Sequence, residues 1–175
     1  ISNRKILKGI LNELKIENQV DVMILIDKVD KIGKEEFISE LNNLIGNEKS
    51  EYLNQILMFN GSNEEKLEKL LEINIEDEYY NEGIKELKTV KSMLEVLGVD
   101  KKSFEINLKI IRGLDYYTGT VFETILVGNE GYGSICSGGR YDNLAENYTE
   151  NILPGVGISI GLTRLFFVLR EIGFV

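Results

Sequence analysis

The sequence has 175 residues, of which 43% are hydrophobic and 28% charged, a composition typical of globular chains that excludes wholesale disorder and collagen-like repeats. It contains one cysteine, Cys136, and no histidine, which excludes an internal disulfide, a Ser-His or Cys-His catalytic pair and a zinc site built from both residue types. A net charge of -9 argues against nucleic-acid binding through bulk charge but leaves room for local recognition of an anion. No apolar run reaches membrane-spanning length.

The first 103 residues are predicted to form a small bundle of helices, because their apolar residues recur at helical spacing. Asn3 is the predicted cap of the first helix, Ser62 and Glu65 form a capping box, and Gly33 and Gly98 mark two helix ends. The apolar sets are Ile6, Leu7, Ile10, Leu11 and Leu14; Val22 through Val29 with Ile32; Phe37, Ile38, Leu41 and Leu44; Tyr52, Leu53, Ile56 and Leu57; Leu67, Leu70 and Leu71; and Ile84, Leu87, Val90, Leu94 and Leu97.

Composition changes near Ser103. The first 103 residues hold 6 glycines, 14 lysines and one arginine, whereas the last 72 hold 11 glycines, one lysine and four arginines. Lysine is a flexible point charge suited to solvated surfaces, while the planar fork of arginine binds carboxylate or phosphate with two bonds. We therefore place a boundary here and expect the chemistry in the second part.

The second part is predicted to be mainly extended, with a closing helix. Alternating apolar and polar residues and the positions of the glycines carry this prediction. The expected elements are a strand over Phe104–Ile110, a hairpin of Thr120–Val127 and Ser134–Ser137 that ends at Gly138 and Gly139, one or two helical turns within Asp142–Tyr148, a short strand over Gly155–Ile160, and a helix over Leu162–Ile172.

The first stretch that could carry chemistry is Ile111–Glu123, IRGLDYYTGTVFE, at the end of the first of these strands. An arginine, an aspartate and two tyrosines follow one another between glycines, where backbone can approach a ligand closely. The structural alternative is a turn in which Arg112 and Asp115 form an ion pair and the tyrosines are half buried. Residue spacing alone leaves both interpretations open.

Two further stretches combine glycines with an arginine. In Ser137–Leu144, SGGRYDNL, the simpler interpretation is a hairpin exit where Arg140 pairs with Asp142, and the adjacent Cys136 is interpreted as a buried small hydrophobe. The other stretch, Pro154–Leu165, reads PGVGISIGLTRL and lacks the sequence of a P-loop or a dinucleotide fingerprint. A glycine-lined packing turn and an anion site are equally compatible with it.

Taken in order, the three stretches resemble the histidyl-tRNA synthetases, which are class II aminoacyl-tRNA synthetases. RGLDYYTGTVFE and GGRYDNL resemble the two histidine-specific motifs of that family, and PGVGISIGLTRL resembles class II motif 3. Leu25–Leu41 is similar to the region after motif 2. The resemblance implies an α+β fold, with a helical insertion domain over 1–103 and the second half of the catalytic domain over 104–175.

The resemblance also implies a role for individual residues. Arg112 would be the catalytic cation and would contact ATP. The other implied positions are Tyr116, Tyr117, Tyr141, Gly138 and Gly139 for histidine, and Gly155, Gly157, Gly161 and Arg164 for ATP. ATP implies Mg2+, whose ligands are expected outside these motifs, so no metal ligand is predicted.

The implied activity is that of a histidine-tRNA ligase, with histidine, ATP and tRNA(His) as substrates, a homodimer in the complete enzyme, a cytoplasmic location and no membrane. Nothing in the sequence resembles motifs 1 and 2 or an anticodon-binding domain, so the chain resembles an internal fragment that we expect to be inactive alone. The alternative is an inactive synthetase-like paralogue, such as the regulatory subunit of ATP phosphoribosyltransferase. The retained Arg112 and Arg164 argue against that alternative.

Overall fold

A computed structural model describes residues 1–112, 116–146 and 148–175. Its sheet has four strands, each antiparallel to its neighbour, in the order β1-β2-β3-β4. The strands are β1 (Ser2–Asn3), β2 (Thr120–Thr124), β3 (Cys136–Tyr141) and β4 (Gly155–Ile160). Together with the helices this is an α+β fold, as predicted.

Eight α-helices accompany the sheet in the described part of the chain. They are α1 (Arg4–Glu13), α2 (Gln19–Asp27), α3 (Val29–Ile32), α4 (Lys34–Ile45), α5 (Asn47–Leu57), α6 (Asn63–Glu72), α7 (Glu78–Val96) and α8 (Leu162–Glu171). The predicted caps are confirmed: Asn3 accepts a hydrogen bond from the N–H of Lys5, and Ser62 and Glu65 form a reciprocal capping box before α6. Each cap satisfies backbone donors that a helix start leaves unpaired.

The apolar core joins the helices to the segment that follows residue 103. Ile10, Phe37 and Leu53 are fully buried in one cluster, and this cluster also contains Ile106 and Ile111. Helix α7 packs against α1 and against strands β1 and β2. The domain division at residue 103 stays a prediction, but the core and the sheet both include residues from each side of it.

Phe104–Ile110 does not form a strand, although its alternation is real, since Ile106 and Leu108 are buried. The segment has hydrogen bonds of a parallel pair with Ile1, whose N-terminal ammonium group donates to the carbonyl of Glu105 and whose carbonyl accepts from Asn107. A strand needs a partner along its length. Alternation predicts the buried face of a segment but not whether a neighbour continues beside it.

The prediction that Gly138 and Gly139 end the third strand is wrong, because β3 runs through both of them. A Cβ atom at Gly138 would overlap the carbonyl oxygen of Gly157 in β4 and lie 2.7 Å from the ring of Phe122 in β2. Glycine is thus required here by the close approach of neighbouring strands, a role that is known for glycines inside strands.

The other predicted elements of the second part have mixed outcomes. The hairpin is confirmed as β2 and β3, and so are β4 and the closing helix α8. Among the described residues of Asp142–Tyr148, the predicted helical turns do not build a helix. The described residues there make isolated turns, such as the bond from the N–H of Glu146 to the carbonyl of Asn143.

Candidate functional site

The candidate site lies on one face of the sheet, which the strand register defines. Glu123 pairs with Ser137, and Ser137 pairs in turn with Ser159. Residues paired across antiparallel strands point to the same side of a sheet, and the next residues on that side are two positions away. Gly139 and Tyr141 therefore share the face of Glu123 and Ser137.

Arg112 lies over this face, where its side chain is half buried. Its Nη1 donates to Oε1 of Glu123 at 2.6 Å, and its Nη2 donates to the hydroxyl of Ser137. A guanidinium carries five N–H donors in a fixed plane, and these two bonds use one each. The geometry fixes the plane of the guanidinium while leaving it able to contact a ligand.

The backbone of Arg112 has a φ of 55°, in the left-handed region that disfavours residues with a Cβ atom. Lys15 is the other residue of this kind among those described, with a φ of 50° just beyond the end of α1, where such a conformation is common. Arg112 follows no helix, so its conformation has a different cause. Strained backbone of this kind persists only where surrounding contacts hold it.

Three tyrosines cluster over the same face of the sheet, and the positive charge of Arg112 acts on one of them, Tyr117. The rings of Tyr116 and Tyr117 have centroids 4.5 Å apart, and those of Tyr116 and Tyr141 are 6.3 Å apart in an edge-to-face arrangement. The hydroxyl of Tyr116 is hydrogen-bonded to that of Tyr117 at 3.4 Å. This hydrogen bond, followed by burial, raises the pKa of Tyr117 above its ordinary value.

Glycines make room for these rings. A Cβ atom at Gly139 would lie 2.7 Å from Cδ1 of Tyr117, and one at Gly155 would lie 2.5 Å from Cε2 of Tyr141. A Cβ atom at Gly157 would lie 3.3 Å from Cε1 of the same Tyr141 ring. Gly139, Gly155 and Gly157 thus lie directly beneath the rings of the tyrosine cluster, whereas Gly138 faces the other side of the sheet, next to Phe122.

Arg164 lies at the end of the β3 and β4 pair that is opposite to Tyr141 and Gly155. It is exposed in the first turn of α8, and its Nη1 donates to the carbonyl of Ser134 at 2.6 Å. Gly161, directly before α8, donates its N–H to the carbonyl of Ile135 at 2.8 Å. Along β3, Tyr141 therefore lies at one end and Gly161 and Arg164 lie at the other. The guanidinium of Arg112, bonded to Ser137, lies between them and nearer to the Gly161 end.

The two ion pairs that the sequence offered as structural alternatives, Arg140 with Asp142 and Arg112 with Asp115, have different outcomes. Arg140 does pair with Asp142, through Nε at 2.9 Å. Asp115 lies outside the described residues, and the described acidic partner of Arg112 is Glu123. Cys136 is half buried rather than fully buried.

Sequence reasoning did not identify Glu123, Ser137 or Arg4 as parts of the site. The side chain of Arg4 donates to the carbonyls of Ile111 and Arg112, at 3.3 and 2.8 Å. One signal was available for Arg4, since it is the one arginine among 14 lysines in the first 103 residues. Glu123 and Ser137 required knowledge of the strand register.

The described residues contain no cluster of three or more histidine, cysteine, aspartate or glutamate side chains that could hold a metal ion. A cavity of about 280 Å³ is lined by residues of α5, α6 and the segment 105–109, away from the tyrosine cluster. Its lining includes none of the predicted site residues, so we do not place the site there. Among the described helices, none is both long and apolar enough to cross a bilayer.

Comparison with known proteins identifies the class of this chain. The family model of histidyl-tRNA synthetase matches residues 1–165, and the chain belongs to that family. It is similar to the histidine-tRNA ligase of Clostridium acetobutylicum, with 62% identity over 175 residues, which cover 100% of this chain and 41% of that protein. The chain thus spans about two fifths of the length of this curated relative.

Solved structures agree with this assignment. The crystal structure of histidyl-tRNA synthetase from Nostoc sp. PCC 7120 matches with a TM-score of 0.93 and 42% identity, over 99% of this chain and 42% of that one. A protein from Bacillus halodurans C, described as an ATP phosphoribosyltransferase regulatory subunit/histidyl-tRNA synthetase, matches with a TM-score of 0.73 and 19% identity, over 91% of this chain and 40% of that one. At that identity the second match shows the fold alone.

Proposed function

We propose that the chain is part of a histidine-tRNA ligase, which activates histidine with ATP to histidyl-adenylate and then transfers it to tRNA(His). One observation carries the proposal: the Arg112 guanidinium and the rings of Tyr116, Tyr117 and Tyr141 converge on one face of the sheet. The 62% identity to a protein of that name supports it.

Arg112 is proposed as the catalytic cation of adenylate formation. In that step a carboxylate oxygen of histidine attacks the α-phosphorus of ATP, the bond to the bridging oxygen breaks, and pyrophosphate leaves. Charge on the equatorial phosphate oxygens is best stabilised by donors already fixed in place. The bonds from Arg112 to Glu123 and Ser137 support this role, because they orient the guanidinium before a ligand arrives.

The tyrosine cluster is proposed to bind the imidazole of histidine, with Gly139 beneath it and Gly138 as the adjacent glycine of β3. A hydroxyl that donates to a ring nitrogen discriminates against side chains without such an acceptor far better than an apolar fit does. A tyrosine hydroxyl, with an ordinary pKa of about 10, is protonated at neutral pH and is therefore the donor that this interaction needs.

Gly155, Gly157, Gly161 and Arg164 are proposed to contact ATP, in addition to Arg112. The exposed guanidinium of Arg164 at the start of α8 is chemically suited to a phosphate. Mg2+ is proposed as the companion of ATP, where it would neutralise phosphate charge. Because the described residues contain no metal-binding cluster, we assign it no ligand and no step.

The remaining properties of the whole protein are proposed from its family. They are binding of tRNA(His), a homodimeric state, a cytoplasmic location and the domain division into 1–103 and 104–175. The inactive paralogue has less support, because the protein described partly as a regulatory subunit is 19% identical to this chain, against 62% for the named ligase.

The direct test uses a complete synthetase that contains this chain. Pyrophosphate exchange into ATP should depend on histidine, and the enzyme should charge tRNA(His). Tyr141→Phe should raise the KM for histidine more than the KM for ATP if its hydroxyl contacts the imidazole side of the site. Histidine binding without any exchange would contradict the proposed ligase and favour the regulatory paralogue.

A further inference from the structure

Arg4 is bonded to both ends of the segment that carries the catalytic cation and two of the tyrosines. Its guanidinium Nη1 donates to the carbonyls of Ile111 and Arg112, at 3.3 and 2.8 Å. Its backbone N–H donates to the carbonyl of Gly119 at 3.1 Å. One residue at the start of α1 therefore ties together the chain on either side of the segment 113–118.

These bonds act where the backbone of Arg112 is strained. A left-handed conformation at a residue with a Cβ atom needs contacts that hold it, and the carbonyl that Arg4 binds is that of Arg112 itself. The conformation at Arg112 also sets the direction in which its side chain leaves the backbone. That side chain must reach Glu123 and Ser137 on the sheet.

We propose that Arg4 is a positioning residue for adenylate formation, which acts by holding the backbone of Arg112 so that its guanidinium lies over the sheet. This inference rests on the proposed catalytic role of Arg112. Arginine suits the task because its planar fork presents several donors in fixed directions, whereas an ammonium group is a flexible point charge. The role also explains why the lysine-rich first part contains an arginine at this position.

The test is a comparison of variants in a complete synthetase, measured as single-turnover adenylate formation with saturating histidine and ATP. Arg4→Gln should lower the rate by about 10-fold to 100-fold, the scale expected when a catalytic group is displaced by about 1 Å. Arg4→Lys should recover part of this loss. Both variants should stay folded, as judged by melting curves recorded in parallel.

Lys5→Met is the matched control, because Lys5 lies in the same helical turn and its ammonium group pairs with Glu82 and Glu86 of α7 instead of with Ile111 or Arg112. It should lower the melting temperature somewhat while leaving the adenylation rate within about twofold. A similar rate loss in Lys5→Met and Arg4→Gln would mean that any damage to α1 slows the enzyme, which would overturn the assignment to Arg4.

A double-mutant cycle separates this inference from the proposed function. If Arg4 acts through Arg112, Arg4→Gln should change the rate by less than about twofold in an Arg112→Ala background. If Arg112→Ala slows adenylation strongly but Arg4→Gln has no effect alone, or the same effect in both backgrounds, the inference fails and the proposed function stands. If Arg112→Ala leaves the rate unchanged, the proposed role of Arg112 fails.

Discussion

The helical region, from α1 to α7, buries its large apolar side chains, and those of Phe37, Leu41 and Leu53 are fully buried. In the sheet region, by contrast, the side chains of Val156, Ile158 and Ile160 in β4 are 60–69% exposed. The sheet region instead places glycines, tyrosines and a paired arginine on one face. The two regions therefore contribute differently: the helices supply most of the described core, and the strands supply the geometry of the candidate site.

Truncation of a core residue in the helical region gives the largest expected effect on stability. Leu53→Ala removes a fully buried side chain in α5 and should destabilise the fold by about 2 to 5 kcal/mol. Turnover per folded molecule in the complete synthetase should stay near wild type. Thermal unfolding and active-site titration measure the two quantities.

Leu97→Ala is the control for this substitution, since Leu97 is 78% exposed after α7. It should change stability by less than about 0.5 kcal/mol. Equal losses from Leu53→Ala and Leu97→Ala would show that the helical region does not carry stability through this core.

Substitution of a glycine in the sheet region should lower both the stability of the fold and the turnover of the enzyme. Gly138→Ala places a methyl group against the backbone of Gly157, so β3 and β4 must separate. We expect a loss of about 1 to 3 kcal/mol in stability and, unlike Leu53→Ala, a lower turnover per folded molecule. Melting curves and pre-steady-state rates together check this.

Gly131→Ala provides the matched glycine substitution, because a Cβ atom there would meet no atom within 4 Å. It should leave stability and turnover unchanged. Should Gly138→Ala behave like Gly131→Ala, the close contact between β3 and β4 would not be a requirement of the site.

The smallest effect is expected from surface charge on the helical region. Hydrogen bonds from Lys101 at 3.0 Å and Lys91 at 3.1 Å lower the pKa of Glu64 from 4.5 to about 2. A carboxyl with a lowered pKa contributes stability above its unfolded pKa and loses that contribution as pH falls through its folded pKa. Glu64→Gln should therefore lower the melting temperature slightly at pH 7, by an amount that shrinks below pH 4.5.

Salt distinguishes this surface network from the core. The difference between Glu64→Gln and the parent chain should also shrink in high salt, because exposed ion pairs are screened. A difference that persists unchanged from pH 7 to pH 3 would contradict the assignment to these charges.

Features set by neighbouring residues were predictable from the sequence. The Ser62 and Glu65 capping box needs only four consecutive positions, and the β2 and β3 hairpin needs only a turn between two extended runs. The alternation in Phe104–Ile110 is a local pattern, and it predicts a strand. The pairing partner that a strand requires would have to come from a distant part of the chain, which a local pattern does not show.

The residues of the candidate site can be proposed from the sequence, but the contacts among them cannot. Arg112, Tyr117 and Tyr141 were identified from motifs in the sequence. Glu123 and Ser137 join Arg112 only through the register of β2 on β3, and Arg4 joins it across 108 positions of sequence. Such contacts depend on tertiary packing, which residue spacing does not encode.

The most direct test of the proposed role of Arg112 is single-turnover adenylate formation by Arg112→Ala in a complete synthetase, recorded beside its melting curve. We expect a rate loss of about 100-fold to 1000-fold, or about 3 to 4 kcal/mol, with a nearly unchanged melting temperature and partial recovery in Arg112→Lys. If Arg112 serves only as the ion-pair partner of Glu123, alanine would instead lower the melting temperature while the rate per folded molecule stayed near wild type. That result would contradict the proposed role of Arg112.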